Sequence, residues 1–182
     1  SDIKKTLRFF AKAFQSYERA LTAPESSTND SYNIYYNQTR LMLKIFTDYT
    51  ANDGYINLLE YVNLDDCPEV FDLFLPLPSI IQRFEMVAEK FPEECAWDLR
   101  FNLLTCYLTF VETQNSASGE EIVVVSSKFI ELAQALHQEL LQELADWDSN
   151  LDDILDNDKL KEDGLAQQTD YDLKTGSGIK SN

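Results

Sequence analysis

The fold is decided by the stretch SYERAL at residues 16–21, which runs on to Pro24. A similar stretch, RFEMVA at residues 83–88, follows 67 positions later and runs on to Pro92. This offset is about twice the 34 residues of a common helix-pair repeat. Units of such repeats bury their apolar faces only by stacking on their neighbours. The pair therefore predicts an all-α protein built as an array of helix pairs.

Apolar residues spaced three and four apart predict where the helices lie around these two stretches. The main helices are expected at residues 3–22, 31–51, 79–91, 94–113 and 119–147. Shorter helices are expected at residues 55–62 and 69–74. Phe14 and Phe84 are expected to be buried, and the helix at 94–113 is expected to face the core with Trp97, Phe101, Leu104, Leu108 and Val111. The connector over residues 63–78 is irregular, because Pro76 and Pro78 cannot both lie inside a regular helix.

The long helix expected near the C-terminus begins at a capping box, Ser118 to Glu121. Its apolar face continues without a break to Trp147. An edge strand at residues 122–125 is the alternative, since four β-branched residues in a row favour extended structure. The capping box and the unbroken periodicity favour the helix.

Residues 148–182 differ in composition from the rest and predict a largely flexible acidic tail behind a scaffold of residues 1–147. Within the tail, apolar residues alternate with carboxylates and predict one short acidic amphipathic helix. Its members are Trp147, Asp148, Leu151, Asp152, Asp153, Ile154, Leu155 and Asp156.

The charge is strongly acidic and unevenly placed. The net charge is −17, yet residues 1–44 carry 7 Lys or Arg against 4 Asp or Glu, and residues 45–182 carry 8 against 28. Such a body repels nucleic acids and anionic membranes, which leaves a basic protein as the expected partner. The alternative is that the charge only keeps a helical protein in solution.

Motifs for chemistry are absent from the sequence. His137 is the only histidine, no CxxC pair occurs, and no HExxH, GxGxxG, GxxxxGK[ST] or GxSxG is found. We therefore expect no enzyme activity, no metal and no cofactor. No apolar run approaches the roughly 20 residues that span a bilayer, so the cytoplasm and the nucleus are the expected locations.

The two stretches resemble the second helix of a tetratricopeptide repeat. In that helix a small residue is followed by an aromatic four positions later, a small residue three after that, and then a proline. The corresponding residues are Ala13, Tyr17, Ala20 and Pro24 in the first stretch, and Ile80, Phe84, Val87 and Pro92 in the second. The resemblance covers residues 3 to about 113 and implies a right-handed superhelix that binds a peptide in a groove.

The groove implied by the resemblance is lined by the first helices of successive units. Polar stripes on the helices at 31–51 and 94–113 would form its floor. These stripes contain Asn37, Arg40, Lys44, Asn102, Thr105 and Thr109. Polar residues that merely face solvent are the alternative.

Two functions remain open on the sequence. The first is an escort or assembly chaperone for a basic client, such as a ribosomal protein or a histone, which uses the acidic tail. The second is an architectural subunit whose helices pack against other subunits. The oligomeric state is left open.

Overall fold

The computed structural model describes residues 2–23, 27–51, 58, 60, 62–113 and 116–175, with side chains up to residue 169. Every regular element in this part of the chain is helical, which confirms the all-α prediction. The five long helices are α1 (Asp2–Leu21), α2 (Thr28–Ile45), α3 (Leu77–Lys90), α4 (Trp97–Thr113) and α5 (Gly119–Thr175). Pro24 and most of the short helix expected at 55–62 lie outside the described residues.

Helix α2 begins three residues earlier than predicted because Ser27 caps it. The Ser27 hydroxyl accepts a hydrogen bond from the Asp30 amide at 3.1 Å, and an Asp30 carboxylate oxygen accepts one from the Ser27 amide at 3.3 Å. This is a capping box with Asp where Glu is usual. At its far end α2 passes into a π-helical turn, Phe46–Thr50.

The connector between α2 and α3 contains two 3₁₀ helices, Leu64–Asp66 and Pro68–Leu73. Helix α3 then starts at Leu77, two residues before the predicted start. Pro78 is tolerated there because the first turn of a helix has no backbone acceptor for its missing N–H. Pro76 precedes the helix as its extended N-cap residue.

The chain divides into two compact units, Ser1–Ala133 and Gln134–Asn182. Within the first unit, α1 packs on α2, α2 on α3, and α3 on α4, so the helices stack in chain order. Helix α1 also packs against the 3₁₀ helix Pro68–Leu73.

Two clusters of buried apolar side chains hold the first unit together. The first core cluster lies among α2, α3 and α4 and contains the fully buried Phe84. The second core cluster joins α1 and Ile45 to the connector, and it includes Leu7 and Val70. Phe14, expected inside, is half-buried and packs against both clusters.

Helix α4 buries a different face from the one its sequence indicated. Trp97, Phe101 and Leu108 were expected inside, but all three are exposed. The buried residues are Leu99, Leu103, Cys106, Tyr107 and Phe110. Both sides of this helix are apolar, so its periodicity does not determine which side faces the core.

Helix α5 is longer than predicted. It was expected to end at Trp147, with one short separate helix after it, and instead continues to Thr175 as a single helix. Residues 122–125 are helical, so the edge-strand alternative is wrong. None of the described helices combines the length and the apolar character needed to cross a membrane.

Candidate protein-binding surfaces

The polar stripes of α2 and α4 meet at the buried side chain of Tyr36. Its hydroxyl donates to Asp98 Oδ2 at 2.7 Å and accepts from Asn102 Nδ2 at 3.0 Å. The Arg40 guanidinium lies 5.4 Å from the centre of the Tyr36 ring, within reach of a cation–π interaction. Arg40 and Asn102, predicted to belong to one groove, are thus joined through Tyr36.

The position of Tyr36 follows from its spacing to Tyr32, one helical turn earlier. The two rings stack with centroids 5.9 Å apart, and the Tyr32 hydroxyl accepts a hydrogen bond from the Ala96 amide at 3.1 Å. Both phenols therefore fix α2 against the start of α4. Burial and the adjacent Asp98 carboxylate raise the pKa of Tyr36 well above its usual range, so the phenol stays neutral and serves as a structural link.

The other predicted groove residues interact mainly within their own helices. Lys44 forms an ion pair with Asp48 at 2.7 Å, and this hydrogen bond raises the pKa of Lys44. The hydroxyls of Thr105 and Thr109 donate to backbone carbonyls four residues earlier. Asn37 is half-buried on α2. The structure therefore brings together only Arg40 and Asn102 of the six.

An exposed apolar strip on α4 was missed by the sequence analysis, which placed it inside. The rings of Trp97 and Phe101 stack with centroids 5.1 Å apart and planes 13° apart. Leu108 lies further along the same side of the helix. Exposed, ordered aromatic pairs of this kind are typical of protein interfaces.

A cleft of about 350 Å³ lies among α3, α4 and the first turns of α5. Ile81 and Phe110 contribute to its lining, and Glu85 stands at its edge. Glu85 accepts hydrogen bonds from the Tyr107 hydroxyl at 2.6 Å and from Lys128 Nζ at 2.8 Å. Burial and Glu85 together raise the pKa of Tyr107. Glu85 and Lys128, two of the charged residues that line this cleft, are thus already paired with each other.

In the described part of the chain, no three His, Cys, Asp or Glu side chains are grouped so that they could hold a metal ion. Cys67 and Cys106 are buried free thiols, and Cys95 is half-buried. Burial raises the pKa of the Cys106 thiol to about 12, so it is protonated and unreactive near neutral pH.

The predicted acidic surface lies on α5, in the second unit. Trp147, Asp148, Asp152, Asp153 and Asp156 are all exposed there. Because successive residues of a helix are rotated by about 100°, residues 148, 152 and 156 form one row that starts beside Trp147 and turns towards the opposite side of the helix. These groups were expected on one short acidic amphipathic helix, and they lie instead within the long helix α5.

Comparison with known proteins finds a relative in yeast. The chain is 50% identical over 191 aligned residues to a protein of Saccharomyces cerevisiae named Uncharacterized protein YNL193W. The alignment covers 100% of this chain and 34% of that protein, so the chain spans about a third of the length of the curated relative it matches. No family model and no solved structure matches the sequence.

Proposed function

We propose that this chain is a protein-interaction module that binds a basic client protein. In the simplest form it is an escort or assembly chaperone for a Lys/Arg-rich client, such as a ribosomal protein or a histone. Clients of this kind occur in the cytoplasm and the nucleus.

One observation carries the proposal: α5 presents apolar side chains and carboxylates together on an exposed helix. Between residues 139 and 158 there are eight Asp or Glu and no Lys or Arg. Leu144, Trp147 and Ile154 are more than half exposed in the same segment. Apolar contact supplies affinity, and the carboxylates select a cationic partner and attract it from a distance.

The helices α1 to α4 are the supporting scaffold in this proposal. We assign them to a helix-pair array of tetratricopeptide type in which α1 and α3 are second helices and α2 and α4 are first helices of successive units. Ile80, Phe84 and Val87 of α3 are all fully buried, and the helices stack in chain order, which supports this assignment. The groove side of these units then carries Arg40 and Asn102 around Tyr36.

Charge reversal on α5 tests the proposal. Replacing Asp148, Asp152, Asp153 and Asp156 by Lys reverses four of the eight carboxylates of this segment without touching a described buried residue. Binding to purified core histones, followed by fluorescence anisotropy, should weaken by about tenfold or more, because surface ion pairs contribute roughly 0.2–1 kcal/mol each. Circular dichroism checks that the variant remains helical.

A second variant with the same change in net charge serves as the control. Asp72, Glu89, Glu93 and Glu112 are exposed carboxylates of the first unit, and their replacement by Lys should leave histone binding nearly unchanged. Equal losses in the two variants would mean that only the net charge matters and that α5 is not the binding surface. Unchanged binding in both would refute the proposed function.

An architectural subunit of a larger complex is the second candidate function. The exposed strip of Trp97, Phe101 and Leu108 on α4 favours it, because permanent interfaces are rich in apolar and aromatic side chains. If this strip is such an interface, other protein subunits should co-purify with the tagged chain in a fixed ratio when it is captured from cells. Replacement of Trp97 and Phe101 by Ser should release them, whereas the α5 charge reversal should not.

A further inference from the structure

The apolar side chains of the acidic segment follow the spacing of a coiled-coil seam. Five of them succeed one another at intervals of 4, 3, 4 and 3 residues, and their exposed fractions lie between 41% and 64%. They are Leu140, Leu144, Trp147, Leu151 and Ile154. An average of 3.5 residues is the repeat by which one helix packs along another, with alternate residues entering holes on the partner.

The charges beside this seam indicate the sign of the charge that a partner helix must carry. Glu143 directly precedes Leu144, and Asp148 directly follows Trp147, so both flank the seam at the positions that face a paired helix. Asp148, Asp152 and Asp156 also repel one another along the helix, since like charges four residues apart destabilise it. Cations on a partner helix therefore gain ion pairs with Glu143 and Asp148, the carboxylates that flank the seam.

A second copy of the chain fits the seam poorly. In a parallel pair, Glu143 of each copy faces Asp148 of the other, which sets two like-charged contacts on the rim. An antiparallel pair likewise gains no ion pair between the two copies, because the segment from 139 to 158 contains no Lys or Arg. Self-pairing therefore places like charges opposite each other, whereas a basic helix would form ion pairs with the same carboxylates.

We propose that residues 139–158 bind an amphipathic basic helix of a partner protein as a two-stranded helical seam. The proposal rests on the proposed function and specifies how the client is recognised: by a helix with apolar residues in the 4-3 spacing and Lys or Arg beside them. Trp147 stands at the centre of the seam, where large aromatic side chains contribute most to binding.

Two synthetic peptides of about three heptads separate this recognition from simple charge attraction. Both contain the same Leu and Lys residues. One places Leu at the 4-3 spacing, and the other distributes Leu evenly around the helix. The full chain should bind the patterned peptide at least about tenfold more tightly than the scrambled one, as measured by anisotropy of the labelled peptides.

Substitutions on α5 assign the binding to the seam. Trp147→Ala and Leu151→Ala should each weaken binding of the patterned peptide by about tenfold. Leu160→Ala is the matched control: Leu160 is exposed on the same helix but lies outside the seam, so this variant should bind as the wild type does. Circular dichroism of each variant confirms that α5 remains helical.

The outcomes distinguish failure of the seam from failure of the proposed function. Equal binding of the two peptides, or no binding of either while core histones still bind, overturns the seam and leaves the proposed function standing. Absence of binding to peptides and histones alike overturns both. A dimer in sedimentation experiments that Trp147→Ala dissociates shows that a second copy occupies the seam and overturns the basic-helix partner.

Discussion

At the scale of single residues, Tyr36 has the most polar contacts of the candidate groove. It is buried in the first core cluster, and yet its hydroxyl connects to Asp98 and Asn102 on another helix. An apolar ring in the core and a satisfied hydroxyl at its edge make a specific link between α2 and α4, because an unpaired buried hydroxyl is costly. Removing the hydroxyl leaves the ring in place and isolates the contribution of the hydrogen bonds.

Tyr36→Phe should therefore lower the free energy of unfolding by about 1.5–3 kcal/mol, the usual range for a hydrogen bond with a charged acceptor. Urea unfolding measures the change. Tyr35→Phe is the control, because the Tyr35 hydroxyl has only a 3.5 Å contact with the exposed Lys90. A loss of the same size in both variants would show that the Tyr36 link is not specific.

Phe84 is the residue whose burial the sequence repeat predicts most directly. Its side chain is fully buried, as predicted. Phe84→Ala should cost about 3–5 kcal/mol, from the lost apolar contact and the cavity that remains. Thermal or urea unfolding provides the measurement, and Phe9→Ala is the control, since Phe9 is exposed on α1. A cost below about 1 kcal/mol would mean that Phe84 does not pack as described.

At the scale of elements, the start of α5 depends on a capping box. The Ser118 amide donates to Glu121 Oε2 at 2.8 Å, and the Ser118 hydroxyl accepts from the Glu121 amide at 3.2 Å. The hydrogen bond from the Ser118 amide lowers the pKa of Glu121, because it stabilises the carboxylate. The cap is therefore strongest when Glu121 is ionised.

The stabilisation by Glu121 should depend on pH in a defined direction. A lowered pKa in the folded state adds stability above the ordinary glutamate pKa of about 4.3, and this is lost as pH falls through the folded value. Glu121→Ala should destabilise the chain at pH 7, and the difference from wild type should shrink by about pH 3. Chemical unfolding at both pH values measures it. Glu120→Ala is the control, because it removes a neighbouring exposed carboxylate, and its loss of stability at pH 7 should be much smaller. A loss of stability in Glu121→Ala that does not change with pH would contradict the role of the carboxylate.

The helices were largely predictable from the sequence, whereas some of their faces and ends were not. The bounds of α1 and α3 were within two residues, because a strong apolar stripe and the nearby prolines define them. The exposed side of α4 was misassigned, since both its sides are apolar and neighbouring helices decide which is covered. The end of α5 was missed because Asp and Asn have low helix propensity and dominate residues 148–158.

The candidate site shows the same division. Exposed carboxylates on α5 were predicted, since charge and composition are read directly from the sequence. The Tyr36 link was not, because it joins residues 62 and 66 positions apart and no spacing signals it. Asn102 and Arg40 were selected as members of polar stripes on the helices that the resemblance places at a groove, and the contact that joins them depends on how α2 and α4 pack.

At the scale of the whole molecule, the described residues separate a packed part from an exposed one. The two core clusters lie in the first unit, and every described side chain after Leu136 is exposed. Substitutions on α5 beyond Leu136 should consequently alter binding much more than they alter stability. Substitutions at the buried positions of the first unit should instead alter stability much more than binding.

Phe14 should determine how cooperatively the first unit unfolds. Since its ring touches both core clusters, breaking one deprives the other of a neighbour, and the two should melt as a single cooperative transition. In native-state hydrogen exchange, the slowest amides of α1 and α3 should open with the same free energy. Phe14→Ala should let α1 open well before α3, while Phe10→Ala, which thins the second core cluster, should lower both together. Matching values for α1 and α3 in Phe14→Ala would place the source of this cooperativity elsewhere.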